Sequence, residues 1–300
     1  MHDIAIIGAG PAGLSAAIYA RRSGKSVIVI EKGVFGGQIT HSPKVENVPG
    51  FVEISGNEFA EKLIEQAINQ GAEIELDTIL NISKTDDGFV LSAESGEYTA
   101  KSVIIAAGSK HRRLGLENEE ELVGNGISFC AVCDGAFFAG QDVAVIGGGN
   151  TALQEAVLLS ETSTKVTIVQ NLDFLTGEKA LVEKLEKTPN VEIICGATLK
   201  AFNGTSALES VVIEKDGAEQ VLNANGAFVA IGQKPENEPF ASVADIDEYG
   251  YITATESCTT KTAGVFVAGD CRTKSIRQVV TAAADGAIAA LAACRYIDNI

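Results

Sequence analysis

The chain has 300 residues, which suggests about two domains, and a hydrophobic fraction of 46% with six prolines is enough for ordinary packed cores. Forty acidic against 23 basic side chains give a formal net charge of −17. That charge excludes nucleic acid and anionic membrane as partners, since both would be repelled at long range.

The first residues read as a strand over 3–7 that runs into Gly8-Ala9-Gly10-Pro11-Ala12-Gly13, followed by helical character over 14–22 and a second strand over 26–30 that ends at Glu31. No basic leader or small-residue cleavage site precedes that strand, so a cytoplasmic location is expected. In this context the glycines are a dinucleotide fingerprint. They permit a tight turn and close approach of a pyrophosphate to a helix N-terminus, and the acidic residue about twenty positions on accepts from a ribose hydroxyl. A strand over 103–107 ends at Gly108. Further on, 142–146 is a strand, Gly147-Gly148-Gly149-Asn150-Thr151-Ala152 is a second glycine turn, 151–159 is a helix and 165–169 a strand. Residues 265–268 ending in Gly269-Asp270 return to the first sheet, and a helix over about 277–296 closes that domain. The pattern predicts an α/β protein with two Rossmann-like nucleotide-binding domains, the second inserted in the first: residues 1–114 and 241–300 for one, 115–240 for the other. No run of eighteen apolar residues is free of charge or glycine, so no membrane span is expected.

Ahead of the second glycine turn stand Cys130-Ala131-Val132-Cys133-Asp134-Gly135. Two cysteines three apart can close a small disulfide ring, and near a helix N-terminus their thiols have a depressed pKa, which suits reversible redox exchange. The competing reading is half a zinc site. It lacks the remaining ligands, because Cys195, Cys258, Cys271 and Cys294 are scattered singly and His2, His41 and His111 show no ligand spacing. No metal is expected. Asp134 suits a proton donor and acceptor for exchange, or a helix N-cap, and the two roles are compatible. Cys271, beside Asp270, reads as a small buried residue or a secondary redox group.

Across its whole length the chain resembles the low-molecular-weight thioredoxin reductases. The resemblance is carried by residues 8–13, Gly36-Gly37-Gln38-Ile39, 46–50, Ala106-Ala107-Gly108, 130–138, 147–152, Gly269-Asp270 and Arg277-Gln278. It implies an FAD domain interrupted by a smaller nucleotide domain, in a homodimer that reduces thioredoxin. Gly8, Gly10, Pro11, Ala12 and Gly13 would cradle the FAD pyrophosphate, Glu31 would hold the adenosine ribose, and Asp270 the ribityl or phosphate portion. Gln38, Asn47 and Gln278 would line the isoalloxazine, with Lys32, Gly37, Gly108, Gly269 and Arg277 completing the cofactor set. By the same resemblance Cys133 faces the flavin, Cys130 exchanges with the partner disulfide, and Asp134 moves the proton.

One stretch departs from the family. Enzymes that use NADPH carry a His-Arg-Arg run after the second strand of the inserted domain, where this chain reads Val169-Gln170-Asn171-Leu172-Asp173-Phe174-Leu175-Thr176, with no arginine or lysine between Lys165 and Lys179. The 2′-phosphate of NADPH would meet Asn171, Leu172 and Thr176, and Gln170 stands where an NADH enzyme prefers a carboxylate. The turn at Gly147 is retained, but a tight strand-to-helix turn wants glycine whether or not a phosphate sits on it, so it does not by itself argue for a nucleotide. The pattern resembles the ferredoxin-dependent flavin thioredoxin reductases. Alternatives are an NADPH- or NADH-dependent enzyme, a dithiol oxidase that passes electrons to oxygen, and a flavin-bound redox sensor. An acidic ferredoxin would need a local basic patch, for which the runs Lys110-His111-Arg112-Arg113 and Arg272, Lys274, Arg277 are the candidates.

Overall fold

The structure, a computed structural model, describes residues 1–42 and 44–300. It divides into two compact units, Met1–Lys110 with Lys234–Ile300, and His111–Gln233. The crossovers therefore fall earlier than the expected 114/115 and 240/241. Leu114 and Leu116 pack on the core that contains Leu122 and Val229, whereas Phe240 and Val243 pack with Ile79 and Ile105, so apolar burial assigns each short segment to the other unit.

In the first unit the strands run in the order Glu73–Leu76, Val27–Glu31, His2–Ile7 and Glu97–Ile105, all parallel, with Val265–Val267 also parallel to Glu97–Ile105. The hairpin Ile79–Thr85 and Gly88–Ala93 adds antiparallel to the first half of Glu97–Ile105. Ile4, Ala5 and Ile6 are fully buried, as expected of a parallel strand covered on both faces. One face is covered by the helices Pro11–Arg22 and Val279–Ile297, which meet through Ala16, Ala17, Ala20, Ala289, Ala290 and Ala293. By length and composition alone Val279–Ile297 is long and apolar enough to cross a membrane. Its buried stripe contains Asp285 and packs in this core.

The second unit has a five-stranded parallel sheet in the order Val191–Cys195, Lys165–Gln170, Asp142–Ile146, Gly226–Val229, Ile127–Ser128. A three-stranded antiparallel sheet, Ala197–Gly204, Leu208–Lys215 and Ala218–Asn223, packs beside it.

Each unit opens on the same device. Gly8 has φ +105° and a Cβ there would lie 2.3 Å from the Ala106 carbonyl oxygen; Gly147 has φ +132° and a Cβ there would lie 2.5 Å from the Ala230 carbonyl oxygen. Both turns thus require glycine for conformation and for close backbone approach.

Candidate active site

In the first unit, Gly10 is the N-cap and Pro11 the first residue of the helix Pro11–Arg22, a position where the missing proline N–H costs nothing. Ala12 and Gly13, in the same first turn, are buried. The Glu31 carboxylate accepts from the Ala9 N–H at 2.8 Å and the Gly33 N–H at 2.9 Å, which ties the end of the second strand to the glycine turn. Lys32 pairs with Glu236, and this pair sits at the rim of a cleft of about 390 Å³ lined by Gly8, Glu31, Ala107, Asp77 and Phe240. The turn at Gly36 and Gly37 lies against the first: the Gly36 N–H donates to the Ala9 carbonyl, and a Cβ on Gly37 would be 3.3 Å from the Gly10 Cα. Gln38 follows in the short helix Gly37–His41. Gly108 has φ +68° and open space about its Cα.

Gly269 closes on the same helix start, since a Cβ there would be 2.8 Å from the Ala12 Cβ. Asp270 is half-buried, with its Oδ1 atom buried and unpartnered; desolvation raises its pKa, opposed by the charges of Lys274 and Arg277. Arg277 donates to the Asp270 carbonyl and lies 4.2 Å over the Tyr251 ring. Gln278 is the N-cap of Val279–Ile297, and its side chain accepts from the Asn47 amide at 3.2 Å. The expected cofactor residues of this unit therefore gather around two helix N-termini. A glycine cradle, a ribose-type carboxylate and an orphaned buried carboxyl oxygen fit a flavin dinucleotide.

A buried ion cluster that the sequence did not disclose holds the Gly269–Asp270 turn. Asp285, on the last helix, receives Arg272 Nε and Nη2 at 2.9 Å each, Lys274 Nζ at 2.9 Å and the Gly269 N–H at 3.0 Å. Burial alone would raise the Asp285 pKa, but the hydrogen bonds from Arg272 and Lys274 outweigh it and hold the carboxyl below its ordinary value of 3.8. Asp285→Asn leaves Lys274 without its counter-charge and Arg272 with only the exposed Glu256, 3.3 Å away, and a loss of about 3–5 kcal/mol is expected, measured by denaturant unfolding of the apoprotein. The native contribution is complete above the ordinary carboxyl pKa and is lost as pH falls through the lower folded value, so the gap between wild type and variant closes in acid.

The dithiol lies in the second unit. Cys130 and Cys133 are disulfide-bonded, with Cα atoms 5.3 Å apart. Cys130 is the N-cap of the short helix Ala131–Asp134, and its sulfur accepts from the Cys133 N–H at 3.2 Å. Asp134 ends that helix and is the N-cap residue of the short helix Gly135–Phe138, but its side chain makes no capping hydrogen bond. Its Oδ2 accepts from the Ser128 hydroxyl at 2.5 Å, the same hydroxyl accepts from the Cys130 N–H at 3.1 Å, and its Oδ1 is buried without a partner. Burial pushes the Asp134 pKa up, partly offset by the Ser128 hydrogen bond. A carboxyl whose pKa burial raises, next in sequence to a disulfide cysteine, is suited to exchanging protons with the dithiol.

The second glycine turn is engaged by its own chain. Gln170 is 5% exposed and lies on Gly148, where a Cβ would be 2.7 Å from the Gln170 Cδ and Nε2. Its Oε1 accepts from the Asn171 N–H and its Nε2 donates to the Phe174 carbonyl, so both polar ends turn back into the loop. The Thr176 and Gly177 N–H groups donate to the Gly148 carbonyl, and Asn150, the first residue of the helix Asn150–Ser160, exchanges hydrogen bonds with Glu178 at that helix start. Leu172 and Phe174 stand exposed there, in a segment with no arginine or lysine between Lys165 and Lys179.

Both basic runs are largely engaged internally. Lys110 pairs with Glu236, His111 stacks on Phe129, Arg113 lies over the same ring and pairs with Glu120, and Arg272 and Lys274 are tied to Asp285. Cys271 is fully buried, and burial pushes its thiol up to about 12, as befits an inert core residue; burial likewise raises Cys258, to about 11, and Cys195 and Cys294.

Comparison with known proteins agrees with this arrangement. The model of the pyridine nucleotide-disulphide oxidoreductase family matches residues 2–286. The chain is 40% identical to a thioredoxin reductase of Bacillus subtilis, covering 100% of this chain and 96% of that protein. It is 42% identical to a 34.2 kDa protein in the rubredoxin operon of Clostridium pasteurianum, covering 98% and 97%. The crystal structure of thioredoxin reductase from Streptococcus pyogenes superposes with a TM-score of 0.95 at 37% identity, covering 100% of this chain and 99% of that one. With two Rossmann-like units, a glycine cradle and a Cys-x-x-Cys disulfide in place, this chain belongs to the pyridine nucleotide-disulphide oxidoreductases and is an FAD-dependent oxidoreductase of the low-molecular-weight thioredoxin reductase type.

Proposed function

We propose that the protein reduces the disulfide of thioredoxin through Cys130 and Cys133, and that it draws its electrons from ferredoxin rather than from NADPH or NADH. The observation that carries the donor is Gln170: it occupies the strand-end position where Glu31 stands in the first unit, yet it is buried on Gly148 with both amide atoms bonded to its own loop. A pyridine nucleotide would need that position for its ribose and cations for its phosphates. The helix start instead meets the Glu178 carboxylate.

In the first unit, Gly8, Gly10, Pro11, Ala12 and Gly13 would hold the FAD pyrophosphate, Glu31 and Lys32 the adenosine end, and Gly269 and Asp270 the ribityl portion. Gln38, Asn47 and Gln278 would line the ring, and Gly37, Gly108 and Arg277 complete the cofactor set. Bound FAD supplies the link between a donor of single electrons and a disulfide that takes two. The residues of the chain do the rest: Cys130 attacks the partner disulfide, Cys133 resolves the mixed disulfide, and Asp134 moves the proton. Ferredoxin near about −400 mV and thioredoxin near about −270 mV leave roughly 6 kcal/mol for two electrons. The basic runs at 110–113 and 272–277 are mostly committed to internal partners, so ferredoxin docking does not rest on them. A cytoplasmic location and a homodimer complete the proposal, the latter consistent with exposed Val280, Ile288 and Leu291 on the last helix.

Anaerobic addition of NADPH, NADH and reduced ferredoxin in turn, read in the flavin absorbance, tests the donor. For the proton, Asp134→Asn is expected to slow reoxidation of the reduced enzyme by thioredoxin by about ten- to ten-thousand-fold without unfolding the protein. Stopped-flow mixing measures it, and an unchanged rate with a lowered melting temperature assigns Asp134 a structural role only.

A further inference from the structure

On the helix Asn150–Ser160 the residues Ala152, Leu153, Ala156 and Leu159 are buried, and Glu155 shares their face at 9% exposure. A carboxylate on an apolar stripe is costly unless it is paired or neutral. The helix packs against the dithiol helix, whose first residue, Ala131, shares its apolar core and whose Ala131 N–H favours the ionised Glu155 carboxyl, while Glu155 Oε2 is buried with no hydrogen-bond partner. Asp134 lies at the other end of that four-residue helix, and its Oδ1 is likewise buried and unpartnered. Two carboxyl groups that act on each other in one water-poor site cannot both ionise cheaply, whereas a shared proton relieves the repulsion. Among the described residues neither carboxyl has an ion-pair partner. The other elements packed on this helix carry Asp142, Lys165, Lys179, Glu183, Lys184 and Glu186; all but the half-buried Asp142 are exposed, and Lys165 and Lys179 pair with Glu192 and Glu183.

We propose that Glu155 is a positioning residue for the dithiol, fixing the first turn of the Cys130–Cys133 helix through the Ala131 N–H and keeping one proton within a buried Glu155–Asp134 carboxyl pair at neutral pH. Burial, with a further contribution from the Asp134 charge and against the Ala131 hydrogen bond, pushes the Glu155 pKa up to about 8. The proposal rests on the reading of Cys130 and Cys133 as the exchanging pair. During exchange the Cys130 sulfur bonds to one partner sulfur and the partner S–S bond breaks. Cys133 then bonds to Cys130 and releases the partner sulfur that Cys130 held in the mixed disulfide. The dithiol is oxidised by two electrons, the partner disulfide is reduced by two, and the two protons of the dithiol end on the partner thiols. Asp134 handles these protons next to sulfur, and Glu155 holds the pair's reserve proton.

The test uses the oxidised, flavin-loaded enzyme without thioredoxin or ferredoxin, so its result does not depend on either partner. Infrared difference spectra over a pH series follow the carbonyl stretch of a neutral carboxylic acid. The wild type is expected to lose such a band with a midpoint near pH 8, Glu155→Gln to lack it, and Asp134→Asn to shift its midpoint lower because the neighbouring negative charge is gone. A band unchanged in Glu155→Gln, or a midpoint unmoved in Asp134→Asn, overturns the shared proton. Stability supplies a second readout. A raised folded pKa gives stability that is complete below the unfolded value of 4.5 and is lost as pH rises through about 8. Glu155→Gln should therefore lose less melting temperature than wild type from neutral to alkaline pH, and parallel losses overturn the assignment.

For the link to exchange, the pre-reduced enzyme is mixed with Ellman's reagent. Glu155→Gln is expected to lose the inflection near pH 8 and to react about ten-fold more slowly at neutral pH. Profiles that superimpose on wild type overturn the role in exchange. If Glu155→Gln does not fold, the Asp134→Asn shift decides the shared proton, and Glu155→Asp, which keeps a carboxyl, should retain the inflection at a displaced midpoint; a profile without one overturns the proposal.

Discussion

NADPH, at concentrations that saturate an ordinary thioredoxin reductase, is expected to leave the flavin of this enzyme oxidised, while reduced ferredoxin bleaches it. A hydrogen bond to a charged group is worth about 1.5–3 kcal/mol, so the absence of two arginine contacts to the 2′-phosphate removes on the order of 3–6 kcal/mol. That is roughly a hundred- to ten-thousand-fold in affinity. NADH gains nothing from the same site, because the Gln170 amide is bonded to Asn171 and Phe174 and is a neutral group where a carboxylate would take both ribose hydroxyls. Arginines introduced at Asn171, Leu172 and Thr176 restore charge but leave Gln170 on Gly148 and Glu178 at the helix start, so they should recover little NADPH binding. Addition of Gln170→Ala and Glu178→Ala, which clear Gly148 and remove the competing carboxylate, is expected to recover more. Anaerobic titration followed in the flavin band decides the matter: rapid stoichiometric reduction of the wild type by NADPH at micromolar affinity removes the ferredoxin proposal.

Cys130→Ser and Cys133→Ser are each expected to abolish thioredoxin reduction while FAD stays bound. The proposed flavin cradle and the dithiol belong to different units of the chain, so cofactor retention and exchange should separate cleanly. Cys130→Ser leaves Cys133 free to titrate as a thiolate, and a thiolate close to flavin perturbs its absorbance; Cys133→Ser leaves Cys130 able to attack but not to resolve, so a mixed disulfide with thioredoxin accumulates. Flavin-to-protein ratio, insulin-coupled thioredoxin turnover and non-reducing electrophoresis read the three effects. Full activity in either variant eliminates the dithiol assignment.

The sequence by itself determined the local devices and the order in which they come. Glycine at 8 and 147, a strand before each and a helix after, and Cys130 three residues from Cys133 are short-range patterns, because turn sterics and ring closure depend on neighbours in the chain. The missing cations after residue 165 were legible for the same reason. What the tertiary structure alone decided is where apolar burial and long-range hydrogen bonds place side chains that local rules leave free. It moved the unit boundaries to 110/111 and 233/234, since the partners of Leu114 and Phe240 lie far off in sequence. It folded Gln170 onto Gly148, and it drew Arg272 and Lys274 from a solvated-looking run onto Asp285. Glu155 shows the division most sharply. Nothing in the sequence set this carboxylate apart, and that it is buried toward the dithiol helix and acts on Asp134 follows only from the packing of the two helices.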